Sequence, residues 1–141
     1  MKRIVTIDLI SSLLIFLFGY TAISKLLSIH RFEAVLGQSP LISSGAPLLA
    51  WQVPLAELCM VGLLIFHSTR KIGLWASLVL LSLFTVYLGY MLFFTSNMPC
   101  SCGGVISFMS WKGHVLFNLF FIGLTSVGIQ RLQQERWLKK Y

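Results

Sequence analysis

Charge is scarce in this chain. Charged residues make up 11% of its 141 residues, and only four of them are acidic. Soluble domains carry about a quarter, so this composition speaks against a soluble globular enzyme. A hydrophobic share of 57% and a mean hydropathy of +0.85 speak equally against a disordered chain. No internal repeat and no low-complexity tract is present. Cysteine is nearly absent too: Cys59 stands alone, and only Cys100 and Cys102 stand close together. The paired Cys-x-x-Cys clusters that mark a zinc site are missing.

What is abundant is apolar sequence in long runs. One crossing of a bilayer about 30 Å thick takes roughly 20 apolar helical residues. Four crossings would use about 80, close to the apolar share of this chain. The runs are Ile4 to Leu27, Ala46 to Phe66, Ile72 to Thr95 and Trp111 to Ile129. They predict an all-α membrane protein, a bundle of four transmembrane helices forming one domain over residues 1–141. The first run follows Met1-Lys2-Arg3, as a signal peptide would. It is longer than the apolar core of such a peptide, and three more runs follow, so it is read as a span.

The net charge is +7, with 11 basic residues. In a soluble protein that would suggest an anionic partner. Here the bases sit between and beyond the apolar runs, as in membrane-protein loops, which excludes a nucleic-acid surface. Lys2, Arg3, Arg70, Lys71, Arg131, Arg136, Lys139 and Lys140 fall on one side; Lys25, Arg31 and Lys112 fall on the other. The richer side should be cytoplasmic. Both termini are then expected inside, with the first and third connections exterior, or periplasmic in a bacterial inner membrane. Trp137 and Tyr141 among bases suggest an interfacial anchor for the tail. Ile29 to Leu36 is expected to form a short interfacial helix ended by Gly37 and Pro40.

The third connection holds Pro99-Cys100-Ser101-Cys102-Gly103-Gly104. A proline before the pair and two glycines after it favour the tight turn that a Cys-x-Cys bridge requires. Such a ring is small, and strained accessible disulfides are the exchangeable ones. As a staple it would contribute little, because closing so short a loop removes little unfolded-chain entropy. Three readings stand: redox exchange; a non-catalytic accessory or assembly subunit whose bridge is a static loop clamp; or a small metal-handling transporter in which His114 joins two thiolates around Cu(I) or Zn(II) and Glu57 is an intramembrane relay. His114 follows Cys102 by twelve residues and could tune a thiol or move its proton. The plain alternative for His114 is a hydrogen bond to a neighbouring helix. The same holds for Asn118, one turn further along.

Glu57 lies deep in the second run, where an ionisable side chain is costly and should face the bundle interior. It is a proton acceptor coupled to thiol chemistry, a contact for a polar ligand, or a packed polar group bonded to another span. A protonated Glu57 could donate to the backbone carbonyl that Pro54 frees nearby. Four thin helices would call for a second copy or a partner subunit to cover Glu57 fully. Cys59 reads as a small apolar residue. Lys25 is expected to snorkel to the interface. Asp8 is expected to be a surface or packing acid. Phe117, Phe120 and Phe121 read as core or lipid-facing.

Taken together, these residues resemble the MauE/DoxX group of redox-associated membrane proteins. The resemblance rests on Ser24-Lys25-Leu26 closing the first span, on Pro54 to Gly62 with Glu57-Leu58, on Pro99 to Gly104, and on Met109-Ser110-Trp111 with His114 and Asn118. It extends over nearly the whole chain, and the Cys-x-Cys-Gly loop is its most specific part. It implies a four-helix membrane bundle that handles the redox state of exported proteins, with Cys100 and Cys102 as the redox pair. The partner it implies is a periplasmic thioredoxin-like or disulfide-containing protein. Its best-described members are linked to methylamine dehydrogenase maturation. The bundle is also similar in shape to quinone-linked thiol oxidases of the vitamin K epoxide reductase type. Those use a Cys-x-x-Cys and a second loop pair, both absent here. A quinone is the cofactor that this second similarity would imply.

Overall fold

The computed structural model describes residues 2–38, 43–94 and 111–141. Cys100 and Cys102, with the rest of the 95–110 connection, lie outside the described residues. So do residues 39–42, among them Pro40.

Five helices are described: α1 (Lys2–Leu27), α2 (Ile29–Gly37), α3 (Ala46–Ile65), α4 (Arg70–Phe94) and α5 (Trp111–Lys140). Among the described residues there is no strand. α1, α3, α4 and α5 are long and apolar enough to cross a membrane. They pack in a ring in which α1 lies on α3 and α5, and α4 lies on α3 and α5. The protein is therefore an all-α bundle of four membrane-length helices, as expected. α2 is the short helix read at Ile29 to Leu36, and it packs on α3.

Each long helix is apolar on both faces, because one faces its neighbours and the other faces lipid. Inward residues recur every three or four positions. On α1 they are Ile7, Ile10, Ser11, Leu14, Phe18, Ala22 and Lys25; on α3 they are Ala46, Ala50, Pro54, Glu57 and Leu64. Ile10, Leu14, Phe18, Leu64, Leu74, Leu81, Phe121 and Ile129 form the core. Large side chains such as Leu9, Phe16, Val86, Phe93 and Phe120 point outward. Cys59 also lies on the outer surface, as a free thiol.

Two buried hydroxyls, those of Ser77 and Thr125, are satisfied within their own helices, which lets a span carry them. Ser77 Oγ donates to Gly73 O at 2.6 Å, and Thr125 Oγ1 to Phe121 O at 2.7 Å. Pro47 occupies the first turn of α3, where a missing N–H costs nothing. The opposite end of α3 leaves carbonyls unpaired, and the tight connection to α4 answers them. Thr69 Oγ1 donates to Leu63 O at 2.9 Å, and Arg70 Nε donates to Leu64 O at 3.4 Å. Arg70 Nη1 also reaches Asp8 Oδ1 at 2.6 Å, tying α4 to the start of α1. Asp8, expected as a surface or packing acid, is a half-exposed partner of that arginine.

α5 is longer than its span. Thirty residues extend about 45 Å, against a hydrocarbon core of about 30 Å. The surplus carries the basic tail, ending in a stacked Trp137–Tyr141 pair at 5.7 Å. Trp137 and Leu138 sit near Arg3, so the two ends of the chain share one end of the bundle.

Glycines mark the closest helix approaches. A Cβ on Gly128 would stand 3.2 Å from Ile10 Cγ2, and one on Gly73 would stand 3.1 Å from Leu64 Cδ2. Nothing lies within 4 Å of the same position on Gly19. Gly128→Leu is expected to destabilise the bundle by about 1–3 kcal/mol through overpacking, with Gly19→Ala near neutral. Thermal unfolding in detergent reads both; equal melting temperatures for Gly128→Leu and wild type would contradict this packing.

Candidate functional site

The inward stripes of α1 and α3 each bring one charge into the bundle. Lys25 stands three residues after Ala22 and seven after Phe18, in the last turn of α1. Glu57 stands three after Pro54 and seven after Ala50, in the middle of α3. α1 packs along α3, so the two meet: Lys25 Nζ lies 2.5 Å from Glu57 Oε1. Both residues are 6% exposed. A buried ammonium or carboxylate alone would be very costly, and pairing is what makes either tolerable.

Two rings complete the surroundings of the ammonium. Its nitrogen lies 5.6 Å from the Phe32 centroid and 5.7 Å from the Phe84 centroid, within cation–π range. Phe32 belongs to α2. That helix presents Phe32, Val35 and Leu36 inward and His30 and Arg31 outward. Phe32 and Leu36 pack on Ala46 and Ala50 of α3. α2 thus acts as a cover that closes over the ion pair from one end of the bundle.

This arrangement corrects two expectations. Lys25 does not snorkel, because its register puts it on the core-facing stripe. Glu57 takes Lys25 as partner rather than a carbonyl freed by Pro54, and a single chain is enough to bury it.

α5 contributes the other polar groups. His114, in its first turn, is 4% exposed, and Asn118, one turn on, is 5% exposed. Phe121 and Thr125 continue the same face. Neither residue makes the helix–helix bond expected of it. Both ring nitrogens of His114, the Asn118 amide nitrogen and Glu57 Oε2 are buried without a hydrogen-bond partner among the described residues. Buried polar groups are nearly always bonded, so each unpaired one calls for an explanation.

All of these groups line one cavity of about 360 Å³. Lys25 and Thr21 come from α1, Phe32 and Leu36 from α2, and Glu57 and Val53 from α3. Phe84 and Tyr87 come from α4, and His114, Phe117 and Asn118 from α5. The rest of the wall is apolar: five leucines and Phe18. It is a mostly apolar cavity with a cluster of polar groups at one place, the usual make-up of a small-molecule site. Of the residues singled out by sequence, Glu57, His114, Lys25 and Asn118 therefore share one site. Phe32, Phe84 and Tyr87 were not anticipated. The signal for Phe32 was present in the inward pattern of Phe32, Val35 and Leu36 on a short amphipathic helix. Among the described residues no three His, Cys, Asp or Glu side chains gather as a metal would require.

The burial of Lys25 has a direct chemical readout. A water-soluble amine-reactive reagent is expected to modify exposed Lys112 and Lys139 in the folded protein and to leave Lys25 unmodified, as followed by peptide mass spectrometry. Phe32→Ala should expose Lys25 to the reagent and cost about 3–5 kcal/mol of stability. Labelling of Lys25 as fast as Lys112 in wild type would mean that it snorkels.

The family model described as "Methylamine utilisation protein MauE" matches residues 1–131. No curated protein and no solved structure gives a significant match.

Proposed function

The chain belongs to the MauE family, and from that premise we propose that it is a membrane thiol–disulfide exchange protein acting through Cys100 and Cys102. The reading places it in a bacterial inner membrane with both termini cytoplasmic and the Cys-x-Cys loop on the periplasmic side. Its partner is an exported protein carrying thiols or a disulfide. The observation that carries the reading is the position of the polar cavity. Lys25 ends α1 and His114 begins α5, so the cavity lies at the end of the bundle where the 95–110 connection leaves and returns. His114 is twelve residues from Cys102 along the chain. The only close pair of cysteines is thus tethered directly to the helix that supplies the unpaired imidazole.

The exchange proceeds in two balanced steps. A partner thiolate attacks one sulfur of the Cys100–Cys102 disulfide. That S–S bond breaks, a mixed disulfide forms, and the other cysteine leaves as thiolate. A second partner thiolate then attacks the partner sulfur of the mixed disulfide. The partner leaves oxidised, and Cys100 and Cys102 are left as a dithiol. The reverse sequence reduces a partner disulfide. His114 and Glu57 serve as proton-handling groups for the thiols.

The test is the redox behaviour of the pair in isolated membranes, read by a mass-adding thiol reagent in a Cys59→Ser background. The expected result is a pair that equilibrates with glutathione buffers, at a potential above about −250 mV. The Cys102→Ser variant should accumulate a mixed disulfide that runs as a heavier band on a non-reducing gel. A pair that resists mild reductant and traps nothing would make the bridge a static clamp and overturn the reading.

A further inference from the structure

Three groups in the cavity have hydrogen-bonding capacity to spare, and their chemistry narrows what could use it. The Asn118 amide can donate. A neutral imidazole at His114 donates from one nitrogen and accepts at the other. Glu57 Oε2 accepts. Glu57 and Lys25 already cancel each other's charge, so the site as a whole is neutral. An anionic ligand, such as a fatty acid or a phospholipid headgroup, would bring its charge against Glu57. A bare acyl chain would leave every donor unpaired. The fitting head is neutral and flat, with oxygen atoms that accept hydrogen bonds in one state and donate them in another. Phe32, Phe84, Tyr87 and Phe117 supply aromatic walls for it, and about 360 Å³ accommodates a single substituted ring.

A second feature says how such a molecule would lie. The cavity is not closed on the α4 side. Leu83 lines it and yet faces the outside of the bundle, 64% exposed. Leu80 and Leu83 also line an apolar groove on the outer surface between α3 and α4, with Ala56, Met60, Trp75 and Val79. The groove therefore continues from the mouth of the cavity along the lipid-facing surface. A ligand with a polar ring and a long hydrocarbon tail would satisfy both features together.

We infer that the cavity binds the ring of a lipid-tailed quinone, with His114 and Asn118 donating to its carbonyl oxygens and its tail lying in the α3–α4 groove. In the reduced form the ring hydroxyls donate instead, to the accepting nitrogen of His114 and to Glu57 Oε2. Binding stands on the cavity alone. Its redox use rests on the thiol-exchange reading. There, two thiols of Cys100 and Cys102 give two electrons and two protons to the quinone, forming a disulfide and the quinol. That step regenerates the oxidised pair.

The experiment is titration of the purified protein in lipid nanodiscs with decylubiquinone and with menadione, which lacks a tail, followed by quenching of tryptophan fluorescence. Saturable binding of decylubiquinone is expected. His114→Phe and Asn118→Leu should each weaken it about tenfold, the worth of one buried hydrogen bond. Ala76→Trp, beside the groove, should weaken decylubiquinone and spare menadione. Phe120→Ala, on the lipid face, should change neither. The Cys100→Ser/Cys102→Ser variant should bind normally, and a wild-type protein that binds decylubiquinone but shows no thiol exchange would sink the thiol reading and leave this one standing. Linear, unsaturable quenching by wild type would overturn the quinone site. Equal displacement of decylubiquinone by decanoate would assign the cavity to an acyl chain and overturn it as well.

Discussion

A charge taken out of water has to be met by an opposite charge, and in this bundle that condition organises one whole end of the molecule. Lys25 and Glu57 lie on the inward stripes of neighbouring helices, so neither can reach solvent. Their 2.5 Å contact fixes the register of α1 against α3. The aromatic rings around the ammonium come from α2 and α4, so the same contact also positions the cover helix and one wall of the cavity. Because the pair is internally neutral, the polar groups contributed by α5 are not consumed in balancing it. His114 and Asn118 remain available to something that enters the cavity.

The opposite end of the bundle solves a similar problem in a cheaper way. Arg70 is held by Asp8 and by the last carbonyls of α3, with Asp8 half in solvent and His67 exposed beside it. The Leu63, Leu64 and Phe66 carbonyls and Asp8 Oδ1 each take a bond from Thr69 or Arg70, and the cluster caps a helix. No comparable economy is seen around His114. The contrast separates a polar cluster that completes the fold from one whose hydrogen bonds are left incomplete by the fold.

The architecture was readable because a membrane simplifies the problem. Four apolar runs must become four helices, since only a helix satisfies its own backbone within a span. The boundaries from sequence fell within a few residues of those observed, apart from the tail. There the helix continues from Ile129 to Lys140, because nothing in Gln130 to Lys140 stops one. The site was half legible. Glu57, His114 and Asn118 were conspicuous as polar residues in apolar runs. Lys25 sits near a span end, which suggests snorkelling, but its register decides its fate. Counting back by sevens and fours, to Phe18, Leu14 and Ile7, places it on the buried stripe. Phe84 and Tyr87 could not be found this way, since an aromatic in an apolar span carries no mark of which side it faces. The cavity itself depends on how five helices meet, and no local pattern encodes that.

The most direct test of the account is a double-mutant cycle on the ion pair, with Lys25→Met, Glu57→Leu and the combined variant compared by unfolding in lipid or detergent. Each single variant leaves a buried charge unpaired and should lose about 3–5 kcal/mol. The combined variant removes both charges and should recover most of that loss, giving a coupling of about 2 kcal/mol or more. Losses that simply add would contradict the account, because they would mean that the two charges do not depend on each other and that the pair does not hold this end of the bundle together.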